Sequence, residues 1–326
     1  MTAATQARRR NTPPASTPPA APRTRSSGRT RGRGSDEAGW RRGWLGPVMV
    51  LPALLIFGIY IAWPVISNVY TSFLGNSELD STLRFVGLEN YEWMASTRSS
   101  QLAFRNVALF AALTIPVQML LGLVFAVALE GRGPLRALMR TLLFLPVVLT
   151  PVVVGYLYAD LLETSSGPVN TALRQAGLGG LTQAWLGDPA LVLAVIACVN
   201  VWMWTGFSMA IYQAALTSLD EEVLEAAALD GASRAQTFWR IIVPLLRPAH
   251  YSLLILGVIG TLKMFDLVYV LSGGGPDYAS EMPTTLLFST LLDGRDGRAA
   301  AIGTVVFLLA MIITAIQLRQ YAKGSK

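Results

Sequence analysis

The sequence predicts an all-α membrane protein with six transmembrane helices and both termini in the cytoplasm, and three observations carry that prediction. First, 52% of the 326 residues are hydrophobic and 14% charged, with a mean hydropathy of +0.46, far more apolar than a soluble domain. Second, the apolar residues gather in six runs, at about 47–73, 106–129, 138–160, 190–217, 249–272 and 299–318, each long enough to cross roughly 30 Å of hydrocarbon at 1.5 Å per residue. Third, basic charge alternates between sides. The first 43 residues carry ten Lys or Arg, segments 130–140 and 218–248 three each and the C-terminus three, nineteen in all; the other three segments carry six, and Lys263 inside the fifth run completes the 26. The excess marks the cytoplasmic side.

Residues 1–43 are rich in Arg, Pro, Ser, Thr, Ala and Gly and almost lack large apolar side chains. They cannot bury enough surface to fold and are expected as a disordered basic tail. The Arg-Gly character of 23–33 is of a kind that touches RNA or anionic lipid, but a solvated tail that enforces topology explains it. The bilayer is the expected partner and nucleic acid is not. No small-residue cleavage site follows a short apolar core, so the tail is not read as a signal peptide. The membrane domain is expected over 44–326, with a core unit at about 102–318. Prolines 52, 64, 116, 146 and 151 fall inside the apolar runs, where neighbouring helices can satisfy the freed carbonyls.

The outer segments differ in character. Segment 74–105 mixes acidic, basic and aromatic residues; 161–189 carries turn formers at Gly167-Pro168, Gly179-Gly180 and Asp188-Pro189; the third opens with Gly273-Gly274-Gly275-Pro276. All three read as ordered loops that could receive something from outside.

The inner segment 218–248 is polar, and each charged side chain would cost about 2.5–3.5 kcal/mol at the centre of a membrane helix, so it belongs in water. Ser218 with Glu221 reads as a capping box that opens a helix. Gly231 supplies a left-handed corner. Ser233 caps a second helix that Pro244 closes. Leu219, Val223, Phe238 and Trp239 lie beside charges, and either fold back on the membrane domain or await a partner.

Several chemistries are excluded. One cysteine, Cys198, inside an apolar run leaves no basis for a disulfide framework or a cysteine metal site within the chain, and no metal ligand is read from the sequence; His250 is the one histidine. No lysine sits in a phosphate-binding Gly-x-x-x-x-Gly-Lys-Ser/Thr pattern, so no ATP is hydrolysed by this chain. Leu271-Ser272-Gly273-Gly274-Gly275 has a superficial likeness to an ATPase signature, but it ends in Gly-Pro and falls on the outer side. Gly206-Phe207-Ser208-Met209-Ala210 with His250 admits an intramembrane serine hydrolase, which the different depths of Ser208 and His250 oppose. An ion-driven secondary transporter is the other alternative.

Glu225-Ala226-Ala227, Gly231 and Ile241-x-Val243-Pro244, at this spacing, resemble the EAA loop of permease subunits of binding-protein-dependent ABC importers, with Val243 where Leu is usual. Phe85 to Tyr91, Gly167 to Asn170, Trp185 to Pro189 and Lys263-x-Phe265-Asp266 through Pro276 resemble the carbohydrate-uptake group, the maltose and glycerol-phosphate type. The resemblance covers nearly all of the membrane part and not the tail. It implies a type I importer permease of a bacterial cell membrane that binds no cofactor itself, ATP and Mg residing on a cytosolic ATPase dimer. A second homologous permease, an extracytoplasmic solute-binding protein and a sugar or sugar-like solute complete the expected set of partners. Glu225, Ala226, Ala227, Gly231, Ile241 and Pro244 are then the ATPase-coupling positions.

For the solute path, Lys263 and Asp266 are the opposite charges inside one run, three apart and so expected on one helical face. They either neutralise each other or wall the path. Asn200, Trp202, Trp204, Tyr212 and Gln213 in the fourth run offer hydrogen bonds and aromatic faces, or merely pack.

Overall fold

The computed structural model describes residues 49–76 and 83–324; the expected disordered tail lies outside the described residues. The chain divides into two units, Met1–Gly58 and Ile59–Lys326. In the first, the described residues are helical and expose Met49, Leu54, Ile56 and Phe57. Apart from the helix Met49–Thr71, which begins in the first unit, everything that follows concerns the second.

Helix α1 (Met49–Thr71) contains a π turn at Gly58–Ala62. Past it, β1 (Leu74–Asn76) and β2 (Leu83–Phe85) form an antiparallel ribbon that pairs Leu74 with Phe85, a small correction to the all-α expectation. Helix α2 (Glu89–Ser96) buries Asn90, whose Nδ2 donates to the carbonyls of Ser72 and Leu74 at 2.9 and 2.8 Å. One amide thus satisfies backbone groups that the short ribbon leaves unpaired. Helix α3 (Arg98–Ala128) starts before its apolar run and carries Pro116 within it.

The third apolar run is not one straight helix. It forms α4 (Pro134–Val148) and α5 (Pro151–Leu161), bent by 97°. Thr150, preceding Pro151, is extended at φ −70, ψ 142, because the proline ring disfavours helical geometry one residue earlier. Helix α6 (Pro168–Gln175) lies in the second outer segment, and α7 (Val192–Leu216) matches the fourth run.

Helices α8 (Glu221–Leu229) and α9 (Arg234–Leu245) form the inner segment, and α10 (Arg247–Leu262) leaves α9 at 60°. The fifth run breaks at Lys263 to Phe265 before α11 (Asp266–Ser272). This corrects the expected continuous span: Thr284 of α12 (Pro283–Leu292) donates its hydroxyl to the Met264 carbonyl, so the break leaves that acceptor satisfied. Helix α13 (Asp296–Gly324) closes the chain. Among the described residues, helices α1, α3, α7 and α13 are each long and apolar enough to cross a membrane, and the candidates rise to six if each of the two bent pairs is one span.

Helices α3 and α7 form the most extensive pair. A Cβ on Gly122 would stand 2.6 Å from Cβ of Ser208, and one on Gly206 would strike the Leu143 carbonyl of α4. Glycine is therefore what lets α7 approach both neighbours. Two buried clusters lie along these helices. One joins Phe110, Val154, Ile196, Met203, Leu267 and Leu271; the other joins Leu123, Met209, Tyr212, Leu216, Leu246 and Leu253.

Candidate functional site

The inner segment is built by local chemistry. Asp220 caps α8 by accepting from the Glu222 amide at 3.1 Å, which corrects the expected Ser218 cap. Ser218 instead donates to the Ala215 carbonyl at 2.7 Å and belongs to the end of α7. At the far end of α8, Gly231 has φ +74; its amide donates to Ala228 and that of Ala232 to Ala227, both at 3.1 Å. This is the paired closure that favours glycine at such a corner. Ser233 and Gln236 then cap α9 reciprocally, at 3.3 and 2.8 Å.

Packing sorts the apolar residues of this segment. Leu219 and Phe238 join the cluster around Tyr212, while Val223, Leu229 and Trp239 are 43%, 89% and 63% exposed. Glu225, Ala226 and Gly231 face outward, Ala227 is buried, and Ile241 and Pro244 are half-buried. Pro244 does not end its helix; α9, which contains a π turn at Phe238–Ile242, runs one residue further to Leu245. The segment offers a rigid corner with an exposed apolar patch and an outward carboxylate.

Between the two buried clusters lies a cavity of about 390 Å³, lined among others by Gln118 of α3, Pro151, Asn200, Trp204, Ser208, Gly257 and the break from Lys263 to Asp266. Lys263 and Asp266 do not share a helical face. Lys263 stands at the C-terminus of α10 and Asp266 in the first turn of α11, each complementing a helix dipole, and the ion pair found among the described residues is Arg98–Asp277 instead. Gln118 donates its Nε2 to Oδ1 of Asn200 at 2.8 Å.

Of the seven expected path residues, Asn200, Trp204, Lys263 and Asp266 line this cavity. Trp202 lines a separate apolar cavity with Cys198 and Leu143. Tyr212 is 1% exposed and its hydroxyl meets His250 Nδ1 at 2.7 Å, and Gln213 lines neither cavity. Sequence reading missed Gln118; its signal was a lone amide two residues past Pro116 in an apolar run. Ser208 and His250 form no nucleophile and base, since the imidazole is held by Tyr212 and the Val243 carbonyl.

At the end of α3 opposite the inner segment, Asn106 donates to the carbonyls of Tyr278 and Glu281 at 2.9 and 3.1 Å. Glu281 is 6% exposed, lies against Gly274 (φ +89) and accepts from the Thr285 hydroxyl at 2.6 Å. Burial pushes its carboxyl up, with the Thr285 bond pulling the other way. In the second outer segment Asn170 accepts from Trp185 Nε1 at 2.9 Å and donates to the carbonyls of Thr164 and Gln183. The hydroxyls and amides of Ser165 and Ser166 hold the Glu163 carboxyl down to about 2.

Residues 118–323, more than half of the chain, match the family described as binding-protein-dependent transport system inner membrane component. The chain belongs to this family. It is therefore a multi-pass membrane protein and a permease subunit of an ABC importer, the ATPase being a separate chain. The permease is 30% identical over 283 residues to the probable ABC transporter permease protein YurN of Bacillus subtilis, covering 86% of this chain and 97% of the relative. It is likewise 30% identical over 280 residues to the trehalose/maltose transport system permease protein MalF of Thermococcus litoralis, covering 86% and 94%. In fold it resembles a chain of a bacterial alginate ABC transporter in complex with alginate pentasaccharide-bound periplasmic protein, with a TM-score of 0.72 at 24% identity over 86% of this chain and 94% of that one.

Proposed function

We propose that this permease is a six-span subunit of a bacterial cell membrane importer for a sugar or sugar-like solute, with both termini cytoplasmic. The cavity walled by Gln118, Asn200, Trp204, Lys263 and Asp266 is part of its solute path. The inner segment 218–248 docks on a cytosolic ATPase dimer that holds ATP and Mg. A second, homologous permease and an extracytoplasmic solute-binding protein complete the importer. The trehalose/maltose relative and the alginate transporter support the solute class.

One observation carries the coupling. Helix α10 runs from the 60° bend at the inner segment to Lys263, where it ends in the cavity wall. A push on α8 and α9 therefore reaches the cavity through a single rigid element, which is how a docking event can change access to a path. The amides of Gln118 and Asn200, with the Trp204 ring and two separated charges, suit hydroxyl-rich solutes.

The test is uptake and ATP hydrolysis by the complete importer in proteoliposomes. Glu225→Lys and Gly231→Pro are expected to leave insertion normal and to uncouple hydrolysis from uptake. A Glu225→Lys importer that transports at the parent rate overturns the coupling role.

A further inference from the structure

His250 sits where three elements meet. It lies in the first turn of α10, just beyond the bend from α9. Its Nε2 is 3.2 Å from the carbonyl of Val243, in the last turn of α9. In an unbroken helix that carbonyl would accept from the amide of Arg247, which here lies on the far side of the bend. Its Nδ1 is 2.7 Å from the hydroxyl of Tyr212 on α7, and the two rings meet edge to face with centroids 5.3 Å apart. A carbonyl only accepts, so Nε2 carries the proton, and in the neutral ring the Tyr212 hydroxyl then donates to Nδ1.

The Tyr212 end of this chain of bonds is buried, while His250 and Val243 are half-buried. Tyr212 is 1% exposed, and Leu216, Leu246, Ala249 and Leu253 pack in the same buried cluster. Hydrogen bonds in such a setting hold geometry more firmly than at a surface. The inner segment leaves α7 at Leu216 and rejoins the membrane part at Arg247. The Tyr212–His250–Val243 chain therefore cross-braces the two roots of the segment and fixes the angle at which α9 meets α10. None of the three lines the cavity.

We propose that Tyr212 and His250 are positioning residues for coupling: they lock the inner segment to α7 and α10, so that movement of α8 and α9 is delivered to both helices together. This rests on the coupling reading above. Without the brace the bend at Leu246 absorbs part of the movement, and hydrolysis continues with less solute moved.

The test uses the whole importer in proteoliposomes and reads solute moved per ATP hydrolysed, together with co-purification of the ATPase. Tyr212→Phe removes one buried oxygen and keeps the ring; His250→Leu removes both bonds. Each is expected to keep the ATPase bound and hydrolysing; the ratio falls about five-fold in Tyr212→Phe, the scale of one lost hydrogen bond, and at least as far in His250→Leu, which loses both. The double variant should be no worse than His250→Leu alone, since both act through one chain of bonds. A Tyr212→Phe ratio equal to that of the parent overturns the brace, as do losses that multiply in the double variant. If His250→Leu fails to assemble, Tyr212→Phe decides alone. Glu225→Lys is run beside them. A normal ratio there sinks the coupling reading itself, whereas a collapsed ratio there with a normal one in Tyr212→Phe sinks the brace and leaves the coupling reading standing.

Discussion

Two carboxyl groups in segments 161–189 and 273–298 titrate in opposite senses, and each has a local cause. Glu281 is buried with a single hydroxyl donor, so its folded value is raised above 4.5. Its contribution to stability is full below about pH 4.5 and is lost as pH rises through the folded value. Glu163 is exposed and held by four donors from Ser165 and Ser166, with a folded value of about 2; its contribution is present above 4.5 and lost as pH falls toward 2. Glu281→Gln is therefore expected to flatten the fall in melting temperature on raising pH, while Glu163→Gln leaves that limb unchanged and flattens the acid limb. Thermal unfolding of the purified protein across pH checks both; an Glu281→Gln profile parallel to the parent removes the argument. At this scale the sequence was half legible. Asn200 and Trp204 sit at cavity depth, but Tyr212 and Gln213 lie about two to three turns further along α7, in the second buried cluster's part of the helix. Glu281 was missed because an acid before Pro283 reads as a loop residue, and the loop that buries it is held at its backbone by Asn106, far away in sequence.

Elements formed by neighbouring residues were read well, and those decided by distant contacts were not. Gly231 and Ser233 perform the expected corner and cap, because both rest on bonds within five residues. Ser218 was misplaced because it competes for the end of α7, where its hydroxyl bonds back to Ala215. Ser233→Ala and Asp220→Ala are each expected to cost about 1 kcal/mol, and Ser218→Ala less than either. Melting temperatures of the three variants measured side by side check this order, and a Ser218→Ala loss equal to that of Asp220→Ala would restore the Ser218 cap. The breaks in the third and fifth runs mark the limit of composition, which reports that a segment is apolar and not which way its axis points. Pro151 leaves a trace of the first break. The second has none nearby, since the acceptor it exposes is satisfied by Thr284 from a later helix.

The number of crossings is a property of the whole molecule, and it turns on the two bent pairs, above all on whether α4 and α5, bent by 97°, cross together or return to the side they came from. Contacts at the two ends favour crossing. Helix α4 begins soon after the C-terminus of α3, whereas Gly155 of α5 packs on Val270 of α11. The loop after α11 is held by Asn106 and Arg98, near the N-terminus of α3. The pair thus starts at one end of α3 and leads toward the other, as a broken span does. Six crossings would put residue 175 outside and residue 235 inside. In a Cys198→Ser background, Gln175→Cys should react with a membrane-impermeant thiol reagent in intact cells, and Ala235→Cys only after permeabilisation. A returning pair inverts both results at once, because every segment after it changes side. That outcome would put the Glu225 corner outside the cell, beyond reach of any cytosolic ATPase, so one labelling experiment tests the topology and the coupling reading that depends on it.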